Sequence, residues 1–278
     1  MQDSSALPDP TWRFRLDGKT AVITGATGIL GSQFSHAFAA AGASVVIADM
    51  DAGRCEALAK EINEAVGAEA AHAFPVDLSS ESSVADWSSA ILERFPTIDI
   101  LLNNAAAKSP NFFKPIEEFP VTDWNQIMAV NVTGMFLVVR AFGPRLIEQG
   151  RGAILNVASI YGVVGPDQRI YDGSYYADLG GAINTPLIYS VTKGAVISFT
   201  RHLATTWGHH GIRTNSLSPG GVFSGQNETF ERAYSNRVPL GRMGDKEDMV
   251  SAALFLASDA AAYINGHNLL VDGGLTAW

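Results

Sequence analysis

Cysteine is almost missing from this chain: Cys55 is the only one among 278 residues. An internal disulfide and a cysteine-based metal cluster are thereby excluded, and no metal is expected. Positive charge is scarce too, with 19 Lys and Arg against 28 Asp and Glu and a formal net charge of −9. Nucleic acid needs a basic face to neutralise its phosphates, and no basic run of that kind occurs, so no nucleic-acid partner is expected. The opening residues, Met1 to Pro10, hold neither a positive n-region nor an apolar h-region. No apolar stretch reads as long enough to span a bilayer, so no membrane partner is expected and a cytoplasmic location is the simplest reading. Charged residues make up only 17% of the chain and apolar ones 47%, which suits a large buried core rather than disorder.

What is present is alternation, an apolar run followed by an amphipathic one, from residue 19 to the end. Lys19 to Thr24 (KTAVIT) reads as a buried strand rich in β-branched residues. Ser44 to Ala48, Ala70 to Val76, Ile98 to Leu102, Gly152 to Val157, Ile212 to Leu217 and Asn268 to Val271 read as further strands. Between them, helices are expected after the Gly25 to Gly31 turn, over Asp51 to Val66, after Ser79, over Thr122 to Gln149 and from Leu187 to His209. Two shorter ones are expected around Thr229 and Ala253. Continuous apolar strands separated by helices predict an α/β fold with a doubly wound parallel sheet of about seven strands, helices on both faces. No repeat or linker divides the chain. It reads as one domain over 17–278 after an N-terminal tail at 1–16, with an aperiodic, Gly- and Tyr-rich loop at about 160–187.

The segment Thr24-Gly25-Ala26-Thr27-Gly28-Ile29-Leu30-Gly31 falls where the first strand turns into the first helix. Glycines there let the backbone approach a pyrophosphate, and a helix N-terminus offers free N–H groups and a positive dipole end. Asp49 ends the second strand, 24 positions after Gly25 and just before Met50. That spacing suits a carboxylate that binds the adenosine ribose diol and repels a 2′-phosphate, so NAD is favoured over NADP. Arg54 is the one residue able to soften that preference, and Asp51 is the better helix N-cap. Tyr189 and Lys193 lie four apart on an expected helix and share one face. A free tyrosine titrates near about 10, and a neighbouring ammonium lowers that value toward the working range of a general acid or base.

Gly25/Gly28/Gly31, Asp49, Asp77, Asn103-Asn104-Ala105, Asn131, Ser159, Tyr189/Lys193 and Pro219-Gly220 occur in an order and spacing that resemble the short-chain dehydrogenase/reductase family, from about residue 16 to 274. The resemblance implies a Rossmann-type fold and an NAD-dependent oxidoreductase acting on a CH–OH group. It implies that Tyr189 exchanges a proton with the substrate oxygen, Ser159 orients that oxygen, and Lys193 holds the nicotinamide ribose and lowers the Tyr189 pKa. Asn131, in Val130-Asn131-Val132, would anchor a water linking Lys193 to solvent. Asp77 and Leu78 look like the adenine contact. Asn104 and Ala105, with Val130, look like cofactor-lining positions. Pro219 to Val222 (Pro219, Gly220, Gly221 and Val222) would flank the nicotinamide. Asn103 and Asp99 have blander readings, as a brace between strands and a partner for backbone donors. Members are commonly tetramers or dimers, and the apolar run Ala252 to Leu256 fits an intersubunit face or a core helix.

Three departures stand out. The glycine spacing resembles the longer, sugar-nucleotide-modifying branch, although the C-terminal run through Val271-Asp272-Gly273-Gly274 looks like the simple reductases. Ala106 stands where the family usually has Gly. Ser159 and Tyr189 are 30 positions apart, well over the family's usual dozen or so, and the extra segment carries Asp167, Arg169, Tyr171, Asp172, Tyr175, Tyr176 and Asp178. Because both flanks are catalytic candidates, the insertion is expected at the mouth of the site. Its hydroxyls and carboxylates suit a polyhydroxylated or anionic small-molecule substrate such as a sugar, polyol or sugar acid. The competing expectations are a sugar-nucleotide epimerase or dehydratase of the same superfamily, and a non-catalytic dinucleotide-binding regulator.

Overall fold

Strand β1 (Thr20–Thr24) is buried along its whole length, as expected of a strand covered on both faces. The computed structural model describes residues 10–176 and 181–278. In it, β1 sits inside a seven-stranded sheet with β2 (Ser44–Ala48), β3 (Ala71–Ala73), β4 (Ile100–Asn103), β5 (Gly152–Val157), β6 (Ile212–Pro219) and β7 (Asn268–Val271). The order is β3-β2-β1-β4-β5-β6-β7, and every neighbouring pair is parallel. The chain therefore starts near the middle, winds to one edge, returns past β1 and winds to the other. The reversal between β1 and β4 opens a crevice at the carboxyl ends of the strands.

Alternate residues of each strand feed two cores. Ala21, Ile23, Val45, Ile47, Ile100 and Leu102 face α1 (Ile29–Ala40), α2 (Ala52–Val66) and α8 (Lys246–Ala257). Val22, Val46, Leu101 and Ile154 face α3 (Glu81–Arg94), the long helix Val121–Gln149 and α6 (Leu187–Trp207). The period of two along each strand, set against the 3.6 of the helices, produces this two-sided burial. The lone Cys55 lies on the inner face of α2, fully buried, and burial pushes its thiol up to about 11.

Several boundaries differ from expectation. Leu16, assigned to the tail, is fully buried in the first core, and Phe14 packs beside Phe255 with ring centroids 6.1 Å apart. Strand β3 is shorter than Ala70 to Val76, because Pro75 has no N–H to give the ladder. The long helix comprises α4 (Val121–Met128) and α5 (Met135–Gln149) joined by a π-turn, Ala129–Gly134. Among the described residues, the 29-residue helix Val121–Gln149 contains an 18-residue stretch long and apolar enough, by length and composition alone, to cross a membrane, contrary to the sequence reading. Arg140, Arg145 and Glu148 interrupt its apolar run, which is why no uninterrupted span was visible. Its Leu137, Val138, Phe142 and Leu146 are buried against Val22, Leu101 and Ile154, so the sheet accounts for its apolar face.

Polar residues inside the sheet are paired across it. Asn103 donates to Asn156 at 2.8 Å, and Asn156 donates to Thr200 of α6 at 2.9 Å. Asp99 accepts from the Thr20 N–H at 3.0 Å and from Arg151 at 3.2 Å.

The segment between Ser159 and Tyr189 folds into short 3-10 turns, Ile160–Gly162 and Gln168–Tyr171, and a two-stranded antiparallel pairing of Tyr175–Tyr176 with Gly181–Ala182. Gln168 closes it by donating to the Thr185 carbonyl at 2.7 Å, and Tyr171 and Thr185 share a hydroxyl–hydroxyl bond of 2.5 Å. It docks on α7 (Glu228–Ser235): Tyr171 stacks on Phe230 with centroids 5.2 Å apart, and Asp167 pairs with Arg237. Asp178 and the side chains of Tyr175 and Tyr176 lie outside the described residues.

Candidate active site

A cleft of about 660 Å³ runs across the carboxyl ends of the strands, a size typical of small-molecule and cofactor sites. Every residue expected to meet the cofactor lines it, from Gly25, Asp49 and Met50 at one end to Tyr189, Lys193, Pro219 and Val222 at the other. Arg54 and Gly221, both raised by the sequence, line it too, and the structure adds Ala48, Val76, Ala107, Val157, Ala158 and Ser224. Most of these are apolar or backbone-presenting and stand beside residues already named, so their only signal in the sequence was adjacency.

At the Gly25 end the backbone is tightly packed. Gly25 has φ +62°, and a Cβ there would come within 2.6 Å of the Ala105 Cα. A Cβ on Gly31 would run into the Gly25 carbonyl. Gly28 is the N-cap of α1 and no side chain caps that helix, so its first N–H groups are left for another acceptor. These features fit the pyrophosphate of a dinucleotide. Asp49 departs from the simplest expectation. Its Oδ2 already accepts from the Thr27 N–H at 3.0 Å and the Thr27 hydroxyl at 2.7 Å, and Oδ1 accepts from the Met50 N–H at 2.8 Å. The Arg54 guanidinium donates to the Thr27 carbonyl at 2.6 Å, so a cation shares the end of the cleft where the carboxylate stands.

At the other end, Ser159 closes β5 and caps the turn that follows, accepting from the Tyr161 N–H at 3.2 Å. Gly162 brings that turn onto α6, since a Cβ there would lie 2.7 Å from the Lys193 carbonyl carbon. The close approach sets Ser159 against Tyr189, and the two side chains are hydrogen-bonded. Lys193 is buried, its Nζ donating to the Val157 carbonyl at 2.8 Å and standing 5.7 Å from the centre of the Tyr189 ring. Burial lowers its pKa to about 8. Burial raises that of Tyr189, and the Ser159 hydrogen bond works in the opposite direction. Desolvation is thus the largest influence on the Tyr189 pKa in the cofactor-free protein.

Asn131 lies outside the main cleft, within the π-turn, where its Oδ1 accepts from the Ala107 N–H at 2.7 Å. A π-turn inserts one residue into a helix and re-aims a side chain, and such turns recur at functional sites. Asn131 and Lys193 together line a cavity of about 10 Å³, roughly the room for one water. Asn103 lines it as well, and its buried Oδ1 has no protein partner.

A parallel doubly wound sheet with a glycine turn at one end of its crevice and a Ser, Tyr and Lys cluster at the other defines a dinucleotide-dependent oxidoreductase class. Comparison with known proteins agrees. A family model described as enoyl-(acyl carrier protein) reductase matches residues 25–276, and the chain belongs to the short-chain dehydrogenase/reductase family. D-threitol dehydrogenase of Mycolicibacterium smegmatis is 35% identical over 271 residues, 95% of each chain. Gluconate 5-dehydrogenase of Burkholderia cenocepacia, solved with NADP and tartrate, superposes with a TM-score of 0.84 at 32% identity, covering 96% of this chain and 98% of the other. A short-chain dehydrogenase of Leptospira borgpetersenii, solved with NAD+, gives 0.81 at 30% identity, covering 98% and 97%.

Proposed function

We propose that this chain is an NAD(H)-dependent oxidoreductase that interconverts a secondary alcohol and a ketone on a sugar, polyol or sugar acid. The observation that carries this reading is a single cleft with Tyr189 and Lys193 at one end, Ser159 set against Tyr189, and Gly25 and Asp49 at the other end. Hydride acceptance and donation are what the nicotinamide supplies when bound there. The chain's own residues do the rest. Ser159 donates to the substrate oxygen and fixes its place beside the Tyr189 hydroxyl. In oxidation Tyr189 takes the proton of the alcohol; in reduction it returns one to the carbonyl oxygen. Lys193 supplies positive charge beside the phenol and a donor for the ribose. The cavity between Asn131 and Lys193 suits a water that passes the proton onward.

The substrate class is supported by the polyol and sugar-acid relatives. A panel of polyols, sugar acids and ketoses, followed by NADH absorbance, tests it. Turnover without net change in NADH would point instead to an epimerase, the reading that the Gly25-Gly28-Gly31 spacing motivates. A homo-oligomer is supported by the sheet edge, where Leu270 of β7 is 37% exposed; a monomer in sedimentation would contradict it.

For the cofactor, the Asp49 carboxylate favours NAD by repelling a 2′-phosphate, while Arg54 pulls the other way. Asp49→Ala is expected to lower the NAD-over-NADP ratio of kcat/KM by about 10–100-fold, the worth of one hydrogen bond to a charged group together with lost repulsion. An unchanged ratio in paired assays would remove Asp49 from cofactor choice.

A further inference from the structure

Gly221 lies just after β6 and walls the same cleft as Tyr189. Its N–H donates to the phenolic oxygen of Tyr234 on α7. The Tyr234 ring also fills the space above Gly221, where a Cβ would come within 2.6 Å of the ring Cζ. One side chain thus fixes this piece of backbone through both its hydroxyl and its ring. Tyr234 is 3% exposed, and burial pushes its pKa up to about 12, so the neutral hydroxyl persists across the working range. On the far side, the Gly221 carbonyl accepts from the Gly244 N–H at 2.9 Å. Helix α7 is in turn held by the insertion, through the Tyr171–Phe230 stack, the Asp167–Arg237 pair and the packing of Ile170 against Phe230 and Tyr234.

We infer that Tyr234 is a positioning residue for the cofactor, which sets the Gly220–Gly221 wall of the cleft and ties that wall to the insertion between Ser159 and Tyr189. The inference rests on the NAD(H) reading above. Two successive glycines have many accessible conformations, and holding them in advance removes an ordering cost that binding would otherwise bear. Loss of the hydroxyl leaves a peptide N–H without its partner and the wall free to move. The effect is local to the Tyr189 end, because Tyr234 does not line the stretch of cleft between Gly25 and Asp49.

That locality supplies the test. NADH and ADP-ribose are titrated separately, by calorimetry, into the wild-type protein and Tyr234→Phe. The expected result is an NADH Kd weakened about 3–10-fold, the range of one neutral hydrogen bond, with ADP-ribose unchanged within about twofold. Equal weakening of both ligands, or no weakening of NADH, would overturn the positioning role. Should Tyr234→Phe fail to fold, Gly221→Ala, whose Cβ presses on the Tyr234 ring, is expected to show the same split and is judged by the same outcomes. A wild-type protein that binds neither ligand would sink the cofactor reading itself, whereas an unaltered variant beside a binding wild type would sink the positioning role alone.

Discussion

Tyr189→Phe is expected to lower kcat by about 10²–10⁴, the range of general acid–base catalysis, while NADH still binds within a few-fold of wild type. The substitution keeps the ring that lines the cleft and removes only the oxygen that Ser159 meets. Lys193 keeps its own bond to the Val157 carbonyl at 2.8 Å, so the donor proposed to hold the ribose stays in place. Substrate oxidation needs the phenolate, and burial raises the Tyr189 pKa. Wild-type oxidation is therefore expected to speed up as pH rises, and reduction, which needs the phenol, to slow down. Steady-state rates in both directions across pH, beside a calorimetric NADH titration, check this. A variant with wild-type turnover would end the case for Tyr189 as the proton carrier.

Lys193→Met is expected to move activity and stability in opposite directions. Activity should fall by about 10²-fold or more, since the phenol loses its neighbouring charge. Stability of the nucleotide-free protein should rise at neutral pH. A pKa lowered from 10.5 to about 8 by burial means that the folded chain bears a cost on the order of 3 kcal/mol to keep this ammonium out of water. Methionine fills similar space without that cost, although it leaves the Val157 carbonyl without its donor, a loss of about 1–2 kcal/mol. A net gain of about 1–2 kcal/mol corresponds to a melting temperature higher by about 2–5 °C.

The pH dependence has a definite sign. Below about pH 8 the folded and unfolded chains both carry the charge, and the whole cost is present. Between about 8 and 10.5 the unfolded chain holds a proton that the folded one has released, so wild-type stability rises with pH relative to the variant. The gap in melting temperature should therefore close across that window. A gap that widened there, or a variant less stable at pH 7, would show that the buried lysine stabilises the fold.

Both residues were readable in the sequence because their chemistry needs a fixed spacing on one helix face. The same holds for the sheet: β2, β5 and β7 keep the bounds expected of them, since unbroken apolar runs leave little choice of register. Features that depend on through-space contact were not readable. The π-turn at Asn131 adds one residue to a helix whose apolar period still looks like 3.6. The Thr27 grip on Asp49 depends on how one turn closes over the next strand. In the insertion no period exists to read, and its partner, α7 (Glu228–Ser235), begins about forty residues after it ends. The polar interruptions in Val121–Gln149 hid an 18-residue stretch within it that is apolar enough to resemble a span. Leu16 looked like tail because a single apolar residue carries no pattern.

Cys55 has a practical consequence. It stands on the buried face of α2, its sulfur 3.8 Å from the Asp49 carbonyl, and its raised pKa leaves almost no thiolate at neutral pH. Thiol-directed probes would therefore find nothing native to attach to while the fold is intact. A cysteine introduced at an exposed position, on the insertion or on α7, could carry a fluorophore or spin label by itself. Distances between those two elements and the rest of the molecule could then be followed in an otherwise unaltered chain.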